Sequence, residues 1–215
     1  MSPNASCIDG KEKAEISANA VISTIELITS QVKKTAFSLS NQDIESMLIL
    51  LKICKENGNC VFVAGAGRSG LIGRAFAMRL MHLGFKAYVI GETVTPAVRE
   101  RDVLIAISGS GNTKSTVSIV EKCRGIGAFT VSLTSKAESV IGNLSSVNVV
   151  LPSKSNADKP DENSSATACN NSALMLMGTG LEISTMVFTD AVVLHLASVI
   201  DVQESEMKDR HANTE

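Results

Sequence analysis

A chain of 215 residues that is 44% apolar and 20% charged can bury a core without disulfide staples, which excludes a wholly disordered protein. Twenty basic residues against twenty-two acidic ones leave a formal charge of −2, so there is no basic excess to grip a phosphate backbone. Aromatics make up 3%, with no Trp to serve as a stacking platform, and no nucleic-acid partner is expected.

Cys7, Cys54, Cys60, Cys123 and Cys169 are odd in number, and no pair has the spacing of a zinc knuckle or redox motif. They are expected to be reduced, structural thiols of a cytosolic protein. The opening stretch MSPNASCIDGKEKAE is polar and of mixed charge, unlike a signal peptide. No run reaches the ~18 uninterrupted apolar residues of a membrane span. The expectation is a soluble, cytoplasmic chain without a membrane partner.

Residues 1–12 read as a flexible arm and 13–57 as N-terminal helices. Val21, Ile25, Ile28 and Val32 recur at helical spacing between Lys13 and Phe37. A second helix opens at Asn41 or Gln42, carries Ile44, Met47, Leu48 and Leu51 on one stripe, and stops at Asn57-Gly58. From residue 58 to 215 the chain reads as one domain. Cys60–Ala64 is a short continuous apolar run, as expected of a strand buried on both faces. Four similar runs follow at Ala87–Ile90, Val103–Ile107, Phe129–Leu133 and Val147–Leu151. Between them lie helical patterns at Gly70–Leu83, Lys114–Arg124 and, more briefly, Ala137–Ile141. This alternation predicts an α/β fold with a five-stranded, parallel, doubly wound sheet of flavodoxin-like order. Pro152–Asn171 is rich in Ser and Asn and reads as a lid or an insert. The last helix, near Glu182 to Ile200, is apolar almost all round, which suits a subunit interface.

Two turns carry the chemistry. Gly65-Ala66-Gly67-Arg68-Ser69-Gly70 follows the first strand, opens a helix and satisfies G-x-G-x-x-G, with Glu92 about 20 residues further on. Ser108-Gly109-Ser110-Gly111-Asn112-Thr113 follows the third strand and opens the next helix. Its small residues let backbone N–H groups approach a ligand, and its hydroxyls add donors for an anion. At the carboxyl ends of parallel strands, both turns face one crevice. A small phosphorylated molecule fits there better than a dinucleotide. Gly65, Gly67, Arg68, Ser69, Ser108, Gly109, Ser110, Gly111 and Thr113 are the expected substrate-binding residues.

The stretches VFVAGAGRSGLIGRAFAMRLMHLGF, GETVTP and LIAISGSGNT resemble the sugar isomerase (SIS) family and, within it, the 6-phospho-3-hexuloisomerases. The resemblance runs from about residue 40 to the end. It implies interconversion of 3-hexulose 6-phosphate and fructose 6-phosphate without metal or organic cofactor, in a homotetramer built from dimers with sites at subunit boundaries. Where that family has Pro-Leu/Met-Gly-Thr-x-Phe-Glu, this chain has Leu176-Met177-Gly178-Thr179-Gly180-Leu181-Glu182. The proline and the aromatic are missing, while Gly178, Thr179 and Glu182 remain.

Moving a carbonyl one carbon along a sugar needs a base that takes a proton from the adjacent carbon, and a carboxylate is the usual choice. Glu182 matches the family's glutamate; read from its position alone, it is a first-turn glutamate favoured by the helix dipole. His211, in Arg210-His211-Ala212-Asn213, matches the family's C-terminal motif and is the expected second acid/base, reaching a neighbouring subunit. His82 can line the crevice or sit between helices, and His195 reads as structural. Arg68 suits sugar or phosphate oxygens. No His, Cys and carboxylate cluster has metal-ligand spacing, so no metal or cofactor is expected. Two other functions compete with the isomerase: a non-catalytic sugar-phosphate sensor and a nucleotide-dependent oxidoreductase.

Overall fold

The computed structural model describes residues 17–152 and 178–214. The arm at 1–12, residues 153–177 of the Ser- and Asn-rich stretch, Cys7 and Cys169 lie outside the described residues. In chain order the elements are α1 (Ala18–Ser38), α2 (Asn41–Glu56), β1 (Cys60–Gly65), α3 (Arg68–His82), β2 (Lys86–Val89) and β3 (Val103–Ile107). They continue with α4 (Lys114–Ile126), β4 (Phe129–Thr134), α5 (Val140–Leu144), β5 (Val147–Val150), α6 (Thr179–Val199) and α7 (Glu204–Asp209).

The sheet is parallel throughout in the order β2-β1-β3-β4-β5, the flavodoxin-like order expected. Val61–Gly65 lie opposite Val103–Ile107, and Val103–Ile107 opposite Phe129–Leu133. All five residues of β3 are buried, because the pleat sends alternate side chains into two separate cores. Val61, Val63, Ile105 and Leu133 pack with α2, α3 and α6, whereas Phe62, Ala64, Leu104 and Ala106 pack with α4 and α5. The chain winds from β1 to β2 in one direction, then returns to place β3 on the other side of β1. The two connections diverge above that point and open a crevice at the carboxyl ends of β1 and β3.

The helices differ from expectation in two places. α1 buries Gln31 and Thr35 and exposes Val21 and Ile25, two residues of the stripe its spacing would turn inward, with Ile22 exposed beside them. The buried pair is satisfied at long range: Gln31 Nε2 and Thr35 Oγ1 donate to the Pro152 carbonyl at 3.1 and 2.9 Å. α6 has 21 residues, and length and composition alone would let it cross a membrane, although it lacks an unbroken apolar run. Here it is a half-buried core helix, with Leu181, Phe188, Val192, Val193 and Leu196 turned inward. Met186, Val187 and Leu194 stay exposed on its outer side. The polar tail also contains a further short helix, α7, whose Gln203 and Glu206 form a capping box.

At the opposite edge of the sheet from the crevice, buried Asp102 ties β1 to β3. Its carboxylate accepts from Cys60 N at 2.8 Å and from Arg99 N at 2.7 Å. Burial, reinforced by this carboxylate, pushes the Cys54 thiol up to about 12 and raises Cys60 and Cys123 as well. Only the thiolate is a good nucleophile, so these thiols should be inert at neutral pH. Iodoacetamide followed by peptide mapping should leave Cys54 and Cys123 unmodified in the native protein and modify both after unfolding. Labelling of native Cys54 at the rate of a free thiol would contradict this.

Candidate active site

The β1 turn is built by close approach. A Cβ on Gly70 would meet the Gly65 carbonyl oxygen at 2.8 Å, so strand end and helix start can touch only with glycine there. Gly67, the N-cap of α3, sits at φ +57°, in the region that favours glycine. Arg68 then opens α3 with its side chain half exposed.

The β3 turn folds on itself. Ser108 and Thr113 hydroxyls lie 3.0 Å apart, and the exposed Ser110 Oγ accepts from Asn112 N at 3.2 Å. Ser135, just after β4, donates through Oγ to the Gly109 carbonyl at 2.7 Å. The sequence reading missed this third turn, though the rule that singled out the other two, small polar residues at the carboxyl end of a strand, applies equally to Ser135-Lys136. Asn112 Oδ1 accepts from Val140 N at 3.1 Å and fastens the turn to α5.

α6 closes the site from above. Leu181 lies so near Gly109 that a Cβ there would meet Leu181 Cδ2 at 2.5 Å. The next residue, Glu182, places Oε2 2.8 Å from Arg68 Nη1. Glu182 thus bridges the β1 turn while its neighbour Leu181 rests on the β3 turn. Its side chain is 13% exposed. The Arg68 contact lacks hydrogen-bond alignment, and among the described residues no donor is aimed at the buried Oε2. A carboxylate set between two turns that can hold a ligand has the lone pairs to accept a proton from it.

The N-termini of α3, α4 and α6 meet around this crevice. None of their N-caps, Gly67, Thr113 and Gly178, gives its helix a side-chain hydrogen bond, whereas Ser40 and Ser139 cap α2 and α5 in that way. Three positive helix ends favour an anion. Gly65, Gly67, Arg68, Ser69, Ser108, Gly109, Ser110, Gly111, Thr113 and Glu182 are therefore gathered in one place.

The histidines are not. His82 ends α3, and the 1.5 Å rise per residue of this 15-residue helix puts it about 21 Å from Arg68, so it does not line the crevice. His211 stacks on it, with ring centroids 5.2 Å apart. Within one chain His211 is therefore at the far edge of the sheet from Glu182. His195 is exposed on the outer side of α6. Glu92, the expected ribose ligand of a dinucleotide site, pairs with Arg74 at 2.9 Å. Beside Arg74 a cleft of about 200 Å³ lies between the β1 turn and β2, lined by Gly65, Gly67, Gly70 and Ile90. Among the described residues no three of His, Cys, Asp and Glu converge as a metal site.

This architecture and its site have named relatives. The SIS domain family model matches residues 52–181. A 3-hexulose-6-phosphate isomerase of Mycobacterium gastri is 34% identical over 195 residues, covering 91% of this chain and 92% of that protein. Its counterpart in Bacillus subtilis is 33% identical, covering 87% and 95%. A crystal structure of a Methanococcus jannaschii protein, from which 3-hexulose-6-phosphate isomerase function was inferred, superposes with a TM-score of 0.72 at 29% identity, covering 90% of this chain and 99% of that one. The matched segment runs from α2, through both Gly/Ser turns, to the residue that rests on Gly109; by fold and sequence, the chain belongs to the SIS domain family.

Proposed function

We propose that this protein is a 6-phospho-3-hexuloisomerase, interconverting D-arabino-3-hexulose 6-phosphate and fructose 6-phosphate. The observation that supports the mechanism is the position of the Glu182 carboxylate, 13% exposed and set against Arg68 at the β1 turn, with its neighbour Leu181 on the β3 turn. The phosphate sits on the β3 turn and the helix N-termini, held by Ser110, Thr113 and backbone N–H groups. Glu182 removes the proton from C2 of the hexulose. The C–H electron pair becomes the C2=C3 bond, and the former carbonyl oxygen at C3 becomes the enediol oxygen. Arg68, already beside Glu182, balances the negative charge that develops on the two oxygens. Returning the proton to C3, while the C2 hydroxyl proton passes to the C3 oxygen, leaves the carbonyl at C2 and a hydroxyl at C3, which is fructose 6-phosphate. These steps need no metal or cofactor.

The second acid/base is His211, supplied by another copy of the chain, because its own Glu182 is at the far edge of the sheet. The exposed apolar residues Val21, Ile22 and Ile25 of α1 and Met186, Val187 and Leu194 of α6 support a homotetramer or dimer of dimers. We place the enzyme in the cytoplasm. Identity with the two isomerases over nearly their whole length favours this function over a sugar-phosphate sensor or a nucleotide-dependent oxidoreductase.

The direct test is an assay of fructose 6-phosphate formation from 3-hexulose 6-phosphate, with NAD titrated separately. No turnover, or saturable NAD binding, would overturn the reading. Replacing both Ser110 and Thr113 with Ala should weaken fructose 6-phosphate binding at least tenfold, since hydrogen bonds to charged groups are worth roughly 1.5–3 kcal/mol each. The melting temperature should change little, and unchanged saturation would reject the cradle.

A further inference from the structure

We propose that His82 is a positioning residue for His211, its buried ring serving as the platform that fixes the His211 ring; this rests on the reading of His211 as an acid/base group. His82 is 5% exposed, yet it lies about 21 Å from its own chain's crevice and touches nothing there. What it does touch is His211, whose ring is stacked on it at 5.2 Å with 26° between the planes. His211 itself is exposed, so its ring is fixed only by the groups it touches.

The backbone around the pair is fastened at several points. Arg210 Nη1 donates to the His82 carbonyl at 3.0 Å, and Nη2 reaches Glu206 Oε1 at 3.2 Å. Lys55 Nζ, from α2, donates to the Leu83 carbonyl at 2.9 Å. Two cations thus satisfy the last carbonyls of α3, where the helix dipole favours them. Gly84, at φ +80°, leaves room for both: a Cβ there would meet Lys55 Nζ at 3.1 Å and Arg210 Cζ at 3.4 Å. The result is a tail stapled to the foot of α3 next to His211.

The ring of His211 has a defined orientation as well. Its Nδ1 lies 3.0 Å from the Ala212 carbonyl oxygen, which can only accept. The proton of that contact therefore belongs to Nδ1, and the lone pair of the neutral ring is on Nε2. The charged groups around His82 are Arg79 (itself paired with Asp190 of α6 at 3.3 Å), Lys55, Arg210 and Glu206. Burial, the His211 ring and Arg79 all push the His82 pKa down, so the platform is uncharged at neutral pH. An uncharged aromatic surface is what stacking requires, and a Phe could supply it.

The test compares His82→Phe, His82→Leu and Arg210→Met in the full-length protein, with the histidine Cε1–H signals read by NMR and kinetics measured in parallel. Ring stacking should hold the His211 signal upfield of its unfolded position in wild type and in His82→Phe. In His82→Leu and in Arg210→Met, which leaves the core intact should the Leu variant fold poorly, it should return towards that position. Turnover should survive in His82→Phe and fall by about ten- to a hundredfold in the other two, with KM for fructose 6-phosphate unchanged, as misplacement of a reacting group predicts. A His211 signal at its wild-type position in both His82→Leu and Arg210→Met would overturn the platform. Signal lost but turnover kept, in a protein that His211→Asn inactivates, would overturn positioning. A fully active His211→Asn would instead overturn the acid/base reading of His211, and with it the effect on turnover, while the signals still decide the platform.

Discussion

Replacing Glu182 with Gln is expected to lower turnover by roughly 10²–10⁴, the usual worth of a positioned general base, while leaving fructose 6-phosphate binding almost unchanged. Gln keeps the length and the Leu181 contact with Gly109 but cannot take the proton. In D₂O the wild-type enzyme should wash deuterium into the reacting carbon of the substrate, and the variant should not. The competing role, a first-turn carboxylate that only complements the helix dipole, predicts about 0.3–1 kcal/mol of lost stability with normal turnover. The geometry speaks against that role. A carboxylate that only complemented the α6 dipole would need no partner on another helix, whereas Glu182 is turned against Arg68 of α3. A variant that isomerises and exchanges at wild-type rates would remove Glu182 from the mechanism.

Charging the outer face of α6 with Val187→Glu and Leu194→Glu together should break the oligomer and abolish most of the activity. Both side chains are about half exposed or more in the single chain, at 49% and 66%, and together with Met186 they form an apolar strip on a helix whose other side is already committed to the core. Carboxylates there cost nothing in an isolated chain, because they face water. At an interface they are desolvated and oppose their symmetry mates. Sedimentation should show the 22.6 kDa species for the variant and a larger one for wild type. Since His211 stacks on His82, about 21 Å along α3 from Arg68 of its own chain, the separated chain should bind fructose 6-phosphate but turn it over poorly. A monomeric wild type, or a fully active monomeric variant, would show that one chain is sufficient.

Much of this molecule can be read locally. β1 and β3 announce themselves because burial on both faces demands an unbroken apolar run, and a run of five such residues has few other uses. The two Gly/Ser turns are equally visible: a backbone that must bend tightly after a strand and approach an anion tolerates little besides Gly, Ser and Thr. Strand order then follows from handedness and alternation.

Other features depend on residues far apart in the chain. Gln31 and Thr35 look misplaced on α1 until the Pro152 carbonyl, more than 100 residues later, is seen to need them. α1 and α6 expose apolar residues that periodicity alone would bury, because periodicity reports that a face is apolar and not what covers it. The contact of Glu182 with Arg68 joins residues 182 and 68, and the stacking of His211 on His82 joins the last turn of the chain to the end of its third helix. Composition and spacing thus determined the fold class and the two turns that flank the crevice, since each follows from steric and hydrogen-bonding needs met within a few residues. Only the tertiary structure decided which face of α6 is buried, where Glu182 points and that the histidines lie apart from it, since side-chain direction and long-range proximity are set by packing.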